Sequence, residues 1–230
     1  MNKMTYVGMV AALVCAALAS GCASKTAKQS EYSGYLGDGY TELKKEKDPR
    51  GEPILRYVSP KLNPSNYSAV ILDPLVYYPT PQPTEQVSEQ TLREIGQYVN
   101  QALRRKMEEK VRVVDQAGPG VVRISIAFTA VRGQNESLKG YQYIPFAFVG
   151  TMGYRAVEGT PQEARLLCEV QAVDSVSRER LGMVVRSGTG EELKKAASGT
   201  RVVTLEAVKP LIDKWVEASA EAMTQFVKPK

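Results

Sequence analysis

The chain has 230 residues, 43% of them hydrophobic and 24% charged, with a formal charge of +5, three cysteines and no histidine. Its length suits one domain with extensions or two small ones. The missing imidazole excludes Ser-His-Asp and Cys-His catalysis, histidine general bases and every metal site that needs a histidine ligand.

One lysine, Lys3, precedes an apolar run from Val7 to Ala19, a charged n-region followed by a short h-region. As a helix that run reaches only ~20 Å, short of the ~30 Å hydrocarbon core of a bilayer. Residues 1–21 are therefore expected to be a removable signal peptide. The run ends Leu18-Ala19-Ser20-Gly21-Cys22, which resembles a bacterial lipobox: small residues fit a peptidase pocket, and the Cys22 thiol accepts a diacylglycerol. Cys22 would become the mature N-terminus. Acyl chains such as palmitate on one residue supply the two or more hydrophobic signals that stable anchoring needs, at ~0.8 kcal/mol per buried methylene. In such lipoproteins an aspartate after the cysteine tends to retain the protein in the inner membrane; here that residue is Ala23. The expected location is the outer membrane, facing the periplasm.

Removing the signal takes one lysine and no acid, so the body carries +4. So small a charge with both signs interspersed is a solubility surface, and no nucleic-acid partner is expected. Lys44, Lys45, Lys47 and Arg50 are the residues suited to anionic lipid or a cell-wall polymer, although a solvated linker accounts for them as well. Cys15 leaves with the signal and Cys22 is acylated, so Cys168 is the one thiol left and no internal disulfide can form.

Residues 22–66 are rich in Ser, Lys, Gly, Pro and Tyr, with turn signals at Gly37-Asp38-Gly39, Asp48-Pro49-Arg50-Gly51 and Asn63-Pro64. They read as a lipid-anchored tether that becomes a strap; fully flexible, it would span roughly 35 Å. Tyr32, Tyr35, Tyr40 and Tyr57 argue that part of it packs on the body. Residues 67–230 form the single domain. Ser68–Leu72 is a first strand. Ser88–Glu109 places Leu92, Ile95, Val99, Leu103 and Met107 on one helical stripe, with Ser88 as cap and Glu89–Arg93 as a supporting pair. Val111–Val114 is a second short strand. From Val121 to Val131, Val122, Ile124, Ile126 and Phe128 alternate with Arg123, Ser125, Ala127 and Thr129, so one face packs and the other is wet or docks a partner. Ala164–Asp174 repeats the pattern, and Arg180–Ser187 returns as a hairpin strand. The last element, about Glu206–Val227, carries Val208, Ile212, Trp215 and Val216 on one face; Pro210 either starts that helix or kinks it. The order specifies an α+β two-layer sandwich: one mixed or antiparallel sheet of about four to five strands with two amphipathic helices on one face.

No cofactor or metal motif is present. Cys168 falls on the apolar face, where a thiol behaves as a small hydrophobe. Asp73, Glu169 and Asp174 are the acids at strand positions that could converge as a hydrolytic pair, although Asp73 before Pro74 also suits a strand-ending turn. Gly188-Thr189-Gly190 before Glu191 faintly resembles a phosphate loop but lacks the rest of the fingerprint, and is expected to open a short helix. The insertion at about 134–163 is far longer than an ordinary connection. Its aromatic stretch either folds back as a strand pair or offers Tyr143, Ile144, Phe146, Phe148 and Tyr154 as an apolar docking surface.

With these pieces placed, the chain resembles a proteobacterial outer-membrane lipoprotein family of unknown function, domain of unknown function 3313. The resemblance lies in Ser33-Gly34-Tyr35-Leu36-Gly37-Asp38, Tyr57-Val58-Ser59-Pro60, Tyr67 and Val70 leading to Leu72-Asp73-Pro74, and Val208-Lys209-Pro210 before Trp215. It implies placement and fold and brings no catalytic residues. The expected function is a non-enzymatic binding or scaffold module of the cell envelope, held on the membrane by its lipid, with an envelope protein or cell-wall polymer as partner. The alternatives are a periplasmic hydrolase using Asp73 and Asp174, and a subunit of an oligomeric envelope assembly; oligomeric state is not legible.

Overall fold

The segments with the clearest alternation form the middle of one sheet. A computed structural model of the chain describes residues 26–81, 83, 86–129, 146–149, 163–199 and 201–230; the signal segment and Cys22 lie outside them. In chain order the strands are β1 (Lys44–Lys47), β2 (Pro53–Val58), β3 (Ala69–Leu72), β4 (Val76–Tyr78), β5 (Val121–Thr129), β6 (Phe146–Val149), β7 (Glu163–Asp174), β8 (Arg180–Glu192), β9 (Lys194–Lys195) and β10 (Arg201–Val202). The helices are α1 (Glu89–Glu108) and α2 (Leu205–Met223). Eight strands share one sheet in the order β1-β2-β8-β7-β5-β3, with β4 on the β5 edge beyond β3 and β6 on β7; β9 and β10 form a separate pair. β3 and β4 run parallel to β5. The fold is the expected mixed α+β sheet, but with eight strands instead of four to five.

The additional strands lie where apolar alternation is absent. β1 is Lys-Lys-Glu-Lys with largely exposed side chains, a charged edge that resists further pairing. In β2 both Ile54 and Leu55 are buried, so adjacent residues are apolar and no period of two shows. The segment 22–66 thus supplies two strands of the sheet. The expected strand at Val111–Val114 reduces to a single bridge between Val113 and Val70.

β8 runs through Gly188-Thr189-Gly190, so the short helix expected there is corrected to strand. The glycines serve packing: a Cβ on Gly188 would stand 2.6 Å from Leu211 Cδ1, and one on Gly190 would run into the Ala207 carbonyl oxygen. Without side chains at these positions α2 lies close against the sheet.

Both helices have the expected stripes and share one face. Ser88 caps α1 by accepting a bond from the Thr91 N–H at 3.0 Å, and Leu92, Ile95, Val99, Leu103 and Met107 are all buried. α2 starts at Leu205 under a Thr204 cap and runs through Pro210, so the alternative start at Pro210 is set aside. Pro210 and Glu206 are both exposed, so the Glu206 carbonyl that loses its i+4 donor faces water, where the loss is mildest. The helices, Val122, Ile124, Ile126 and Phe128 of β5, and Leu166 and Cys168 of β7 form one core. Ile95 and Ile212 are at most 1% exposed, each burial contributing about 1.5–3 kcal/mol.

Candidate functional site

The second sheet face, expected to be wet or to dock a partner, is covered in part by the chain's own N-terminal segment. Leu55, Leu167, Met183 and Val185 on that face form a cluster with Ala27 and Leu36, and Tyr32, Tyr35, Tyr40 and Leu43 pack against it. Thr26, the first described residue, is itself buried. The strap is pinned at Glu169, a carboxyl side chain with no exposed surface. Tyr40 donates its hydroxyl to Glu169 Oε2 at 2.5 Å, and the Ser33 N–H donates to Oε1 at 3.2 Å. The Tyr40 oxygen accepts in turn from the N–H groups of Gly34 and Leu36 at 2.9 and 3.3 Å. Burial first, then the bond to Glu169, pushes the Tyr40 phenol up to about 12. Tyr32 stacks on Tyr40 with ring centroids 4.4 Å apart. Ion pairs fix the margins: Arg165 Nε to Glu31 at 3.0 Å, and Arg180 to Asp38 at 2.9 Å and Glu42 at 3.1 Å. The stretch Ser33–Asp38 is therefore a fastening element.

On the helix face, the turn between β1 and β2 carries Asp48, which accepts the Arg50 and Glu52 N–H groups at 2.9 and 3.0 Å and pairs with Arg186 at 2.6 Å. That pair is almost wholly buried, at 2% and 6% side-chain exposure. Beside it lies a cavity of about 120 Å³ between the sheet and the C-terminal ends of both helices, lined mainly by apolar side chains together with Arg56.

The acids proposed as a hydrolytic pair are held apart. Asp73 accepts from Arg123 Nη1 at 2.8 Å and Ser125 Oγ at 2.7 Å, whereas Asp174, in register with Val122, accepts from Tyr67 at 3.1 Å and from the N–H groups of Val176 and Ser177. Arg123 and Ser125 alternate with Val122, so the two carboxylates lie on opposite faces of the sheet, and the pairing is corrected. Glu169 is engaged by the strap. Cys168 is buried in the helix-side core, and burial raises its thiol to about 12, an unreactive value. Among the described residues no group of three acids or cysteines could hold a metal ion, and no helix is long and apolar enough to cross a membrane. Of the suggested docking residues, Tyr143, Ile144 and Tyr154 lie outside the described residues; Phe146 and Phe148 fall in β6, which pairs with β7 from Phe146↔Leu166 to Val149↔Glu163. The basic group divides: Lys44, Lys45 and Lys47 are exposed on the edge strand, while Arg50 pairs with Glu217 and Glu221 of α2.

Sequence reasoning missed the buried contacts of Tyr40, Asp48 and Arg186. The available signal was the tyrosine density of the strap, which located the packing without naming its receptor, since Glu169 alternates in β7 like any surface residue.

The class the fold defines is a two-layer α+β body strapped by its own N-terminal segment. Residues 31–219 match the family described as protein of unknown function (DUF3313), and the chain belongs to that family. It is 32% identical over 212 residues to the uncharacterized lipoprotein YdcL of Escherichia coli K12, covering 92% of this chain and 93% of that protein. Similarity to solved structures is looser. Protein XCC0632 of Xanthomonas campestris matches at 10% identity with a TM-score of 0.39, covering 73% of this chain and 91% of that one. The PelC dodecamer of Paraburkholderia phytofirmans matches at 12% identity with a TM-score of 0.35, covering 72% and 96%.

Proposed function

We propose that this protein is a lipid-anchored outer-membrane lipoprotein facing the periplasm, whose body is a non-enzymatic binding module of the cell envelope. The observation that carries this reading is the seating of the strap from Thr26. Four residue steps separate Thr26 from Cys22, at most about 14 Å of chain. A diacylated Cys22 therefore holds the body against the headgroups, and the long flexible tether is replaced by a short leash. The name of the Escherichia coli relative, a lipoprotein, and the lipobox at Leu18–Cys22 support the anchor. The sheet extension made by β6 and the ends of β7 and β8 carries the aromatic insertion, which we take as the docking element for an envelope protein or cell-wall polymer.

The test is metabolic palmitate labelling followed by gradient separation of the two membranes. Wild type is expected to carry label and sediment with the outer membrane, and Cys22→Ser to carry none and leave the membrane fraction. Label-free wild type would overturn the anchor, and sedimentation with the inner membrane would overturn the location.

A further inference from the structure

We propose that the cavity between the sheet and the helix ends is a binding site for a single aliphatic chain bearing a carboxylate. The proposal rests on the cavity alone and does not depend on where a protein partner docks. Leu103 and Met107 from the last turns of α1, Met223 and Phe226 at the end of α2, and Ile124 and Val170 from the sheet supply an apolar wall on each side. A dry apolar cavity of about 150 Å³ accommodates a six-carbon ring. At about 120 Å³, this one takes the inner five or six carbons of one chain whose remaining carbons reach the mouth, too few for the paired acyl chains of a phospholipid.

The polar end is set by two guanidinium groups. Arg186 is already neutralised by Asp48 at 2.6 Å. Arg56 is the most exposed of the three charged lining residues, its side chain 22% accessible, and so marks the mouth. Its Nη2 pairs with Glu46 at 2.5 Å, and its guanidinium lies over the Phe226 ring, 5.8 Å from the centroid. Its Nε–H is shielded from solvent and has no acceptor among the described residues. A donor without an acceptor beside an apolar void is matched by a ligand that ends its hydrocarbon chain in an anionic acceptor, and a carboxylate offers a compact one. An uncharged alcohol of the same length fills the void but meets the guanidinium more weakly. A shorter acid meets the guanidinium but leaves the void unfilled.

Octanoate, 1-octanol and butanoate serve as probes for the full-length lipoprotein in detergent, observed through the labelled methyl groups of Met107 and Met223. Saturable shifts of both methyls with octanoate are expected, with 1-octanol and butanoate each at least tenfold weaker. Arg56→Met is expected to weaken octanoate about tenfold and leave 1-octanol unchanged, and Ala172→Phe to abolish binding of all three by occupying the space. No saturable shift with millimolar octanoate in the wild type overturns the site, and that reading holds even where a filled variant fails to fold. Octanoate shifts that persist unchanged in a folded Ala172→Phe protein place the binding elsewhere and overturn it too. Equal affinity for octanoate and 1-octanol overturns the carboxylate.

Discussion

Tyr40 and Glu169 show how one buried acid can hold a segment in place. With no exposed surface, the carboxyl group takes its hydrogen bonds among the described residues from the strap, from the Tyr40 hydroxyl and the Ser33 N–H. Tyr40→Phe removes one and leaves an oxygen short of a donor in a site water does not reach. The expected loss is about 1–3 kcal/mol of unfolding free energy, measured by urea titration, with the hydrophobic packing of the ring preserved. Asp174 gives the pH counterpart. The N–H of Ser177 first, then that of Val176 and the Tyr67 hydroxyl, hold its carboxyl below the usual carboxylate value against the opposing effect of burial. A depressed folded pKa contributes stability above the unfolded value of about 3.9 and loses it as pH falls through the lower folded value. Asp174→Ala should therefore melt below wild type by a constant margin from neutral pH to about 5, and the margin should close as the solution is taken below about 4. A margin that widened in acid would contradict the hydrogen bonds assigned to this turn.

At the scale of elements, α2 and β8 approach closely at two glycines of the strand. A methyl group on Gly190 would collide with backbone, the Ala207 carbonyl, whereas one on Gly188 meets the movable Leu211 side chain first. Gly190→Ala is expected to destabilise by about 1–3 kcal/mol, and Gly188→Ala by less, as read from paired denaturation curves. The contrast also shows what a sequence makes legible. α1 and α2 were readable because one side of each is solvent, so Leu92 to Met107 and Val208 to Val216 stand out at a period near 3.6. β5 and β7 showed their alternation for the related reason that their helix-facing residues, Val122 to Phe128 and Leu166 to Ala172, are apolar. Gly188-Thr189-Gly190 was misread because its small residues answer to a helix arriving from elsewhere in the chain, a contact that leaves no local period. β1 and β2 were hidden for opposite reasons: β1 is almost wholly exposed, and β2 is covered on both sides at Ile54 and Leu55. The lipobox-like run Leu18–Cys22 is a linear motif that owes nothing to the fold, and it lies outside the described residues. The cavity was not legible, because its walls come from both helices and four strands.

For the whole molecule, the proposed lipid anchor makes the stretch from Cys22 to Thr26 the governing dimension. If the body works against the headgroups, its reach depends on the residues between Cys22 and Thr26 and on nothing within the fold. Inserting about 20 Gly/Ser residues there should add an r.m.s. span of roughly 25 Å. The melting temperature is expected to stay unchanged, while crosslinking of the body to photoreactive headgroups should fall severalfold. Undiminished crosslinking would mean that the body binds the bilayer by its own surface, for which the exposed lysines of β1 are the available cations.

The strap has a further consequence in time. Its contacts are among the most distant in the chain: Tyr40 meets Glu169 across 129 positions, Glu31 meets Arg165 across 134, and Asp48 meets Arg186 across 138. A chain synthesised from its N-terminus delivers the strap first and its receptor, β7 and β8, more than a hundred residues later. Contacts of such separation form slowly, since their loops must close before any burial rewards them. The strap is thus among the last segments to seat, and until β8 has arrived its tyrosines remain without their receptor.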